Sequence, residues 1–205
     1  MSTRRLFETL FFRRVISGPK KTKILNSQLL KESYIFRELD EPGRSWSKSN
    51  YHNGYSSYSS ITNLPERSPY YLELKKLIDK EVQSFVRKLE WDLQGGRIEM
   101  STCWINIMGE NCQHSFHLHP HSVISGTYYL STPRGSGSFK IEDPRIQSFM
   151  ASPPKKKTAK SKMYLDITPR AGDLVLFESW LKHEVTPNRA SKDRVSISFN
   201  YEWIR

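Results

Sequence analysis

From Arg97 to the C-terminus the sequence is cut into short apolar runs separated by Gly, Pro and polar residues, and this segmentation restricts the fold more than any other feature. The runs are Ile98 to Met108, Val123 to Leu130, Phe139 to Glu142, Met163 to Ile167, Leu174 to Phe177, His183 to Thr186 and Val195 to Trp203. Most are too short for a helix and rich in β-branched and aromatic residues, so each predicts a strand. Strands at this spacing predict a closed or sandwiched antiparallel sheet.

With 205 residues there is room for one good core, so a single domain spanning residues 1–205 is expected. Residues 97–205 would form its β core. Residues 1–96 would supply a first strand over Leu6 to Ile16, a polar stretch from Gly43 to Ser60 that reads as loop with one short strand, and a supporting helix. The helix is the clearest local feature. Ser68 and Pro69 suit an N-cap and first helical position, and Leu74, Leu77, Ile78, Val82, Phe85, Val86 and Leu89 recur at three- and four-residue intervals. It is expected to brace the sheet and to carry no chemistry. Trp46, Tyr51, Tyr55 and Tyr58 imply that the polar stretch packs over something. The fold class expected is therefore mainly β with a flanking helix.

Thirty-two Lys and Arg against 21 Asp and Glu leave a net charge of +11, so the surface attracts anions. That suits nucleic acid, an acidic protein or an anionic small substrate alike. Without zinc-finger spacing, an RNP-like strand or a Gly-rich phosphate loop, nucleic acid is neither implied nor excluded. Ser152 to Lys162, with Lys155, Lys156, Lys157, Lys160 and Lys162, interrupts two strands as a mobile basic loop. The plainer reading is a solvated insertion; the sharper one is a rim that draws an anionic substrate inward. Cys103 and Cys112 are too few for a disulfide framework, which fits a reducing compartment. Cys103, inside an apolar run, fits as small core filler. No apolar run is long enough to cross a bilayer, and Glu8 and Thr9 break the stretch Leu6 to Phe12, against a signal peptide. A cytoplasmic protein without a membrane partner is expected, in preference to a mitochondrial transit segment, and a homodimer is a further expectation.

His114, His117, His119 and His121 lie close together, and His183 lies far downstream. Side chains alternate along a strand, so His117 and His119 share a face and can meet at one metal, whereas His114 falls on the other face if the strand is regular. His121 has the same parity as the pair, but Pro120 turns the chain just before it. Two ligands from one strand end and a third from a distant strand form the layout of facial-triad sites, which keep positions open for co-substrate and dioxygen. Structural zinc would instead take four closed ligands including thiolates, and the two cysteines are not spaced for that. Arg194 follows His183 by eleven residues on the next predicted strand. Its planar fork suits a carboxylate, and Ser196, on the same face, can donate to the same group. Asn106 is a polar side chain in an apolar strand and needs a partner; with Tyr128 it is a candidate pocket residue, while Trp104 and Tyr129 are expected in the core.

Many ordered motifs extend this pattern: Leu6-Phe7-Glu8-Thr9, Ser49-Asn50 with Gly54-Tyr55-Ser56, Trp104-Ile105-Asn106, His117-Leu118-His119-Pro120-His121-Ser122 and Ser125-Gly126-Thr127-Tyr128-Tyr129. They continue as Asp143-Pro144-Arg145, Pro169 to Phe177, Ser179-Trp180-Leu181-Lys182-His183 and Arg194 to Asn200. Together they resemble the SM-20-related, phage-and-bacterial group of 2-oxoglutarate and Fe(II)-dependent oxygenases over nearly the whole chain. The resemblance implies a double-stranded β-helix with His117 and His183 as iron ligands, and with Arg194 and Ser196 holding the C5 carboxylate of 2-oxoglutarate. It further implies dioxygen as the oxidant, ascorbate as a reductant, and hydroxylation of a substrate with release of succinate and CO2. His119 stands where most of the wider superfamily carries Asp or Glu, so either three histidines hold the iron or a water completes the shell. His114 stands where the family often has Asn. Two other readings stay open: a three-histidine cupin-type dioxygenase that does not use 2-oxoglutarate, and a non-catalytic basic binding module. Arg194 separates the first of these, since a direct dioxygenase has no general need of a carboxylate clamp, and metal content separates the second.

Overall fold

From Cys103 to Met108 odd-numbered residues point one way and even-numbered ones the other, and this alternation decides how the strand is buried. In the computed structural model, which describes residues 6–16, 19–159 and 162–205, Cys103, Ile105 and Ile107 pack into a large apolar core while Trp104, Asn106 and Met108 line a cavity on the opposite face. The chain begins with β1 (Phe11–Val15), α1 (Pro19–Leu39), α2 (Glu41–Asn50) and β2 (Gly54–Ser56). A one-turn α3 (Leu64–Arg67) and α4 (Pro69–Lys88) follow. Then come β3 (Arg97–Met108), β4 (His114–His117), β5 (Ile124–Ser131), β6 (Phe139–Glu142), β7 (Tyr164–Ile167), β8 (Asp173–Glu178), β9 (His183–Val185) and β10 (Arg194–Ile204).

Two antiparallel sheets result. The larger runs β1-β8-β5-β10-β3-β2 and the smaller β4-β9-β6-β7. From β3 to β10 the chain passes between the sheets, strand or hairpin at a time, which is the double-stranded β-helix in a mainly β fold with flanking helices. The helices cover the outer face of the large sheet. Leu74, Ile78, Val82 and Phe85 of α4 and Leu25 and Leu29 of α1 form one core with Ile105, Tyr128, Leu174, Leu176, Ile197 and Phe199. A second, smaller core of Tyr129, Phe139, Ile141, Val175, Phe177 and Leu181 lies between the sheets.

The predicted helix is α4, with the Ser68 hydroxyl accepting from the Tyr70 N–H at 3.1 Å as its N-cap. Two N-terminal expectations need correction. The first strand is only Phe11–Val15, because β8 offers partners to those residues alone. The polar stretch from Gly43 is helical to Asn50, despite serines and a glycine that disfavour helix. Its N-cap explains this: the buried Asp40 carboxylate accepts from Gly43 N–H at 3.0 Å, Tyr55 Oη at 2.8 Å and Ser60 Oγ at 2.6 Å. A Cβ at residue 43 would run into that carboxylate, so the glycine is required. The α1 helix, to which the sequence pointed least, buries Leu25, Leu29 and Ser33 in a narrow stripe, and Ser33 meets Tyr71 Oη at 2.8 Å. A buried serine in place of a third leucine hides the helical period.

Ile78 is 0% exposed at the centre of the helix–sheet core. Ile78→Ala should cost about 2–5 kcal/mol, the usual range for emptying such a site. Urea unfolding followed by circular dichroism measures this, and a loss under 1 kcal/mol, roughly the range of a surface change, would show that α4 does not brace the sheet.

Candidate active site

A bulge in β4 arranges the histidines. His114 lies opposite Val185 and His117 opposite His183, so the strand gains one residue between them relative to β9. His117 and His183 therefore face each other, with ring centroids 4.3 Å apart. His119 lies just past the strand end, where its N–H donates to the Ser179 carbonyl at 3.0 Å. Its ring is 5.1 Å from that of His117 and 5.3 Å from that of His183. One nitrogen from each ring lies within 4.8 Å of the others. The bulge also overturns the parity argument for His114, whose ring stacks on His117 at 4.0 Å instead of facing away. His121 has φ +71° and turns out of the cluster.

The protonation of these rings suits metal binding. His117 Nδ1 and His183 Nδ1 each lie 2.8 Å from a carbonyl oxygen, of Ser115 and Leu181. A carbonyl can only accept, so each Nδ1 carries the proton and each Nε2 presents a lone pair. Burial lowers all three basicities: His119 is pushed down to about 4, His183 well below its ordinary value, and His117 is also lowered despite its bond to Ser115. Neutral imidazoles result, as a metal requires.

Arg194 opens β10 on the inner face and is 1% exposed. Its Nη1 meets only Met108 Sδ at 3.2 Å and Ser196 Oγ at 3.3 Å, its Cζ lies 5.0 Å from the Tyr129 ring centre, and its Nε has no partner. Among the described residues no carboxylate pairs with this guanidinium. A buried fixed charge left with vacant donors is a site awaiting an anion. The cavity lined by Arg194 and Ser196 is also lined by His117, His119 and His183.

Asn106 lines the same cavity, but its amide is already engaged: Nδ2 donates to Ser198 Oγ and Oδ1 accepts from Ser56 Oγ, both at 3.0 Å. It orders the cavity floor. Tyr128 is a correction. It points to the helix side, where its hydroxyl donates to Asn26 Oδ1 at 2.7 Å, because odd and even residues of β5 part to opposite faces. The residue beside the guanidinium is Tyr129, opposite Ser196 in register, whose buried hydroxyl has no partner. Strand parity with Ser196 was the signal that could have found it. Tyr51 also lines the cavity, and its place among the aromatics of the polar stretch was the only hint. Cys103 is buried on the helix side, and Cys112 packs with Tyr51 and Met108 rather than joining the metal-binding group.

These residues fit Fe(II) with 2-oxoglutarate. Three neutral nitrogen donors suit a divalent first-row metal and, unlike a set containing a carboxylate, leave its charge uncompensated. Arg194 adds one positive charge to the two of a divalent metal, and a dianion that reaches both ends offsets two of the three.

Comparison with known proteins agrees with this geometry. Residues 102–200 match a family model described as "Putative 2OG-Fe(II) oxygenase". No curated protein matches the chain. Among solved structures, HygX from Streptomyces hygroscopicus, with nickel, 2-oxoglutarate and hygromycin B bound, is similar with TM-score 0.62 at 16% identity, over 95% of this chain and 83% of that one. A Pseudomonas putida prolyl-4-hydroxylase is similar with TM-score 0.59 at 15% identity, over 95% of this chain and 92% of that one. An oxidoreductase of the 2OG-Fe(II) oxygenase family from Burkholderia pseudomallei matches with TM-score 0.41 at 19% identity, over 53% of this chain and 46% of that one, so the match spans about half of its length. At these identities the likeness to solved structures is one of fold.

Replacing His183 with Ala should remove a ligand held between two sheets, and metal affinity should fall by a factor of about 100 or more, as for loss of a group tied to the metal. Titration with Co(II), read by its visible absorption, gives the affinity, and an unchanged titration would strike His183 from the ligand set.

Proposed function

Residues 102–200 match the family model of 2OG-Fe(II) oxygenases, and on that premise we propose that the chain is one of them and hydroxylates a prime substrate at the expense of 2-oxoglutarate and dioxygen. The overall change balances as substrate C–H plus O2 plus 2-oxoglutarate giving substrate C–OH plus succinate plus CO2. Dioxygen is the oxidant; Fe(II) with bound 2-oxoglutarate would activate it, 2-oxoglutarate giving up two of the four electrons. The observation that carries the reading is Arg194, a guanidinium with a vacant buried donor in the cavity that the three histidines share.

The protein's own residues then do three things. His117, His119 and His183 hold the metal through nitrogens kept neutral by burial. Arg194 grips the distal carboxylate of the co-substrate, with Ser196 and the partnerless Tyr129 hydroxyl as additional donors. Phe139 and Phe177, each with its ring centroid 4.7 Å from that of His183, wall the site off from water, which strengthens both interactions. Arg194 also speaks against the cupin-type alternative, which has no use for a buried carboxylate clamp. The ordered motifs from His117 to Asn200 support placement in the SM-20-related group, as one domain over residues 1–205.

Exchange of Arg194 for Met removes the clamp and should raise the KM for 2-oxoglutarate by a factor of about 30 or more, from the 2–5 kcal/mol lost with one partner of a buried charge pair. Metal affinity should hardly change. Succinate release from 2-oxoglutarate and Fe(II) without a prime substrate measures both the activity and its KM. Wild-type protein that binds Fe(II) yet releases no succinate would overturn the proposed function, and an unchanged KM in the variant would remove Arg194 from it.

A further inference from the structure

Next to the metal site lies a second hollow of about 390 Å³ that shares Tyr51, Trp104, Asn106, His117 and His119 with it. This is the size of a small-molecule site. None of its lining residues is Asp, Glu, Lys or Arg, in a chain where those types number 21 acidic and 32 basic. The basic loop is elsewhere: the hollow lined by Lys155, Lys156, Lys157 and Lys162 shares no residue with this one.

What the walls offer instead is aromatic and amide surface. The rings of Tyr58 and Trp104 meet at 62° with centroids 5.0 Å apart, forming a corner, and the Trp104 ring is 6.1 Å from His119. Trp46, Tyr58 and Leu118, exposed by 39%, 54% and 46%, gather at this one rim, where isolated surface residues would be scattered. Asn50 and Gln113 add neutral hydrogen-bonding groups. An anion moved into the hollow would lose its water with no charged side chain in the lining to pair with it. A cation could lie over the rings, but the net charge of +11 and a divalent metal next to the hollow oppose it.

Resting on the oxygenase reading, we propose that this hollow selects the prime substrate by an uncharged, saturated ring whose C–H face packs into the Tyr58–Trp104 corner, with Asn50 and Gln113 meeting its hydroxyl or amide substituents. The ring's reacting C–H is thereby held on the His119 side of the metal site. On this proposal the basic loop is the solvated insertion of its plainer reading, and the hollow sets what is bound.

Three probes that differ chiefly in charge test this: cyclohexanecarboxamide, cyclohexanecarboxylate and cyclohexylmethylammonium, read by saturation-transfer NMR on the full chain loaded with Zn(II), a diamagnetic divalent stand-in, at about 0.15 M salt, where long-range attraction is screened. The carboxamide should bind in preference to both ions. Tyr58→Ala and Trp46→Ala, both at exposed positions, should each weaken it about three- to tenfold, the usual worth of an aromatic contact. Either ion binding as well as the carboxamide, no probe binding at all, or two folded variants that bind it as tightly as wild type would overturn the proposal. Because this readout needs neither iron nor 2-oxoglutarate, its failure is distinct from failure of succinate release.

Discussion

Two-faced strands are the constraint from which the rest follows. In β3, β5 and β10 one set of alternate residues is apolar and packs beneath α1 and α4, while the other faces the small sheet and carries hydroxyls, amides and a guanidinium. The apolar set anchors the sheet, so the inward set is free to be polar. Ser198 hydrogen-bonds both Asn106 and Thr127, and Ser125 links Ser179 to Asn200, so this polar floor is connected from strand to strand. That floor joins β3, β5 and β10 beneath the cavity that Arg194 and the three histidines line.

The charges of the cavity follow from burial. Imidazoles taken out of water become poor bases, and carbonyls at Ser115 and Leu181 select which nitrogen stays bare. Arginine cannot escape its charge in the same way, so Arg194 keeps it and lies against the Tyr129 ring without an acidic partner. The cavity is thus a neutral donor set and a fixed cation with an unpartnered Nε, a combination that costs stability.

The N-terminal third has a role that its sequence does not advertise. The buried Asp40 ties α2 to Tyr55 and Ser60 and so places Trp46, Tyr51 and Tyr58 around the entrance to the histidines. These residues come from a helix, its C-terminal end and a 3-10 turn, and only their packing against β3 makes them one surface.

Pattern and spacing were enough for the strand series, the α4 helix, the pair His117 and His119, and the distant partners His183 and Arg194, because strand alternation and apolar periodicity are local properties that each segment carries by itself. The helices α1 and α2 escaped that reading, since a buried serine blurs the one and a capping network assembled from distant residues holds the other. Likewise, parity alone sent His114 to the wrong face and could not choose between Tyr128 and Tyr129. A one-residue bulge in β4 decided the first and the facing of β5 decided the second. Bulges, register and the side of a sheet that helices cover depend on partners far along the chain, and for that reason they exist only in the tertiary structure.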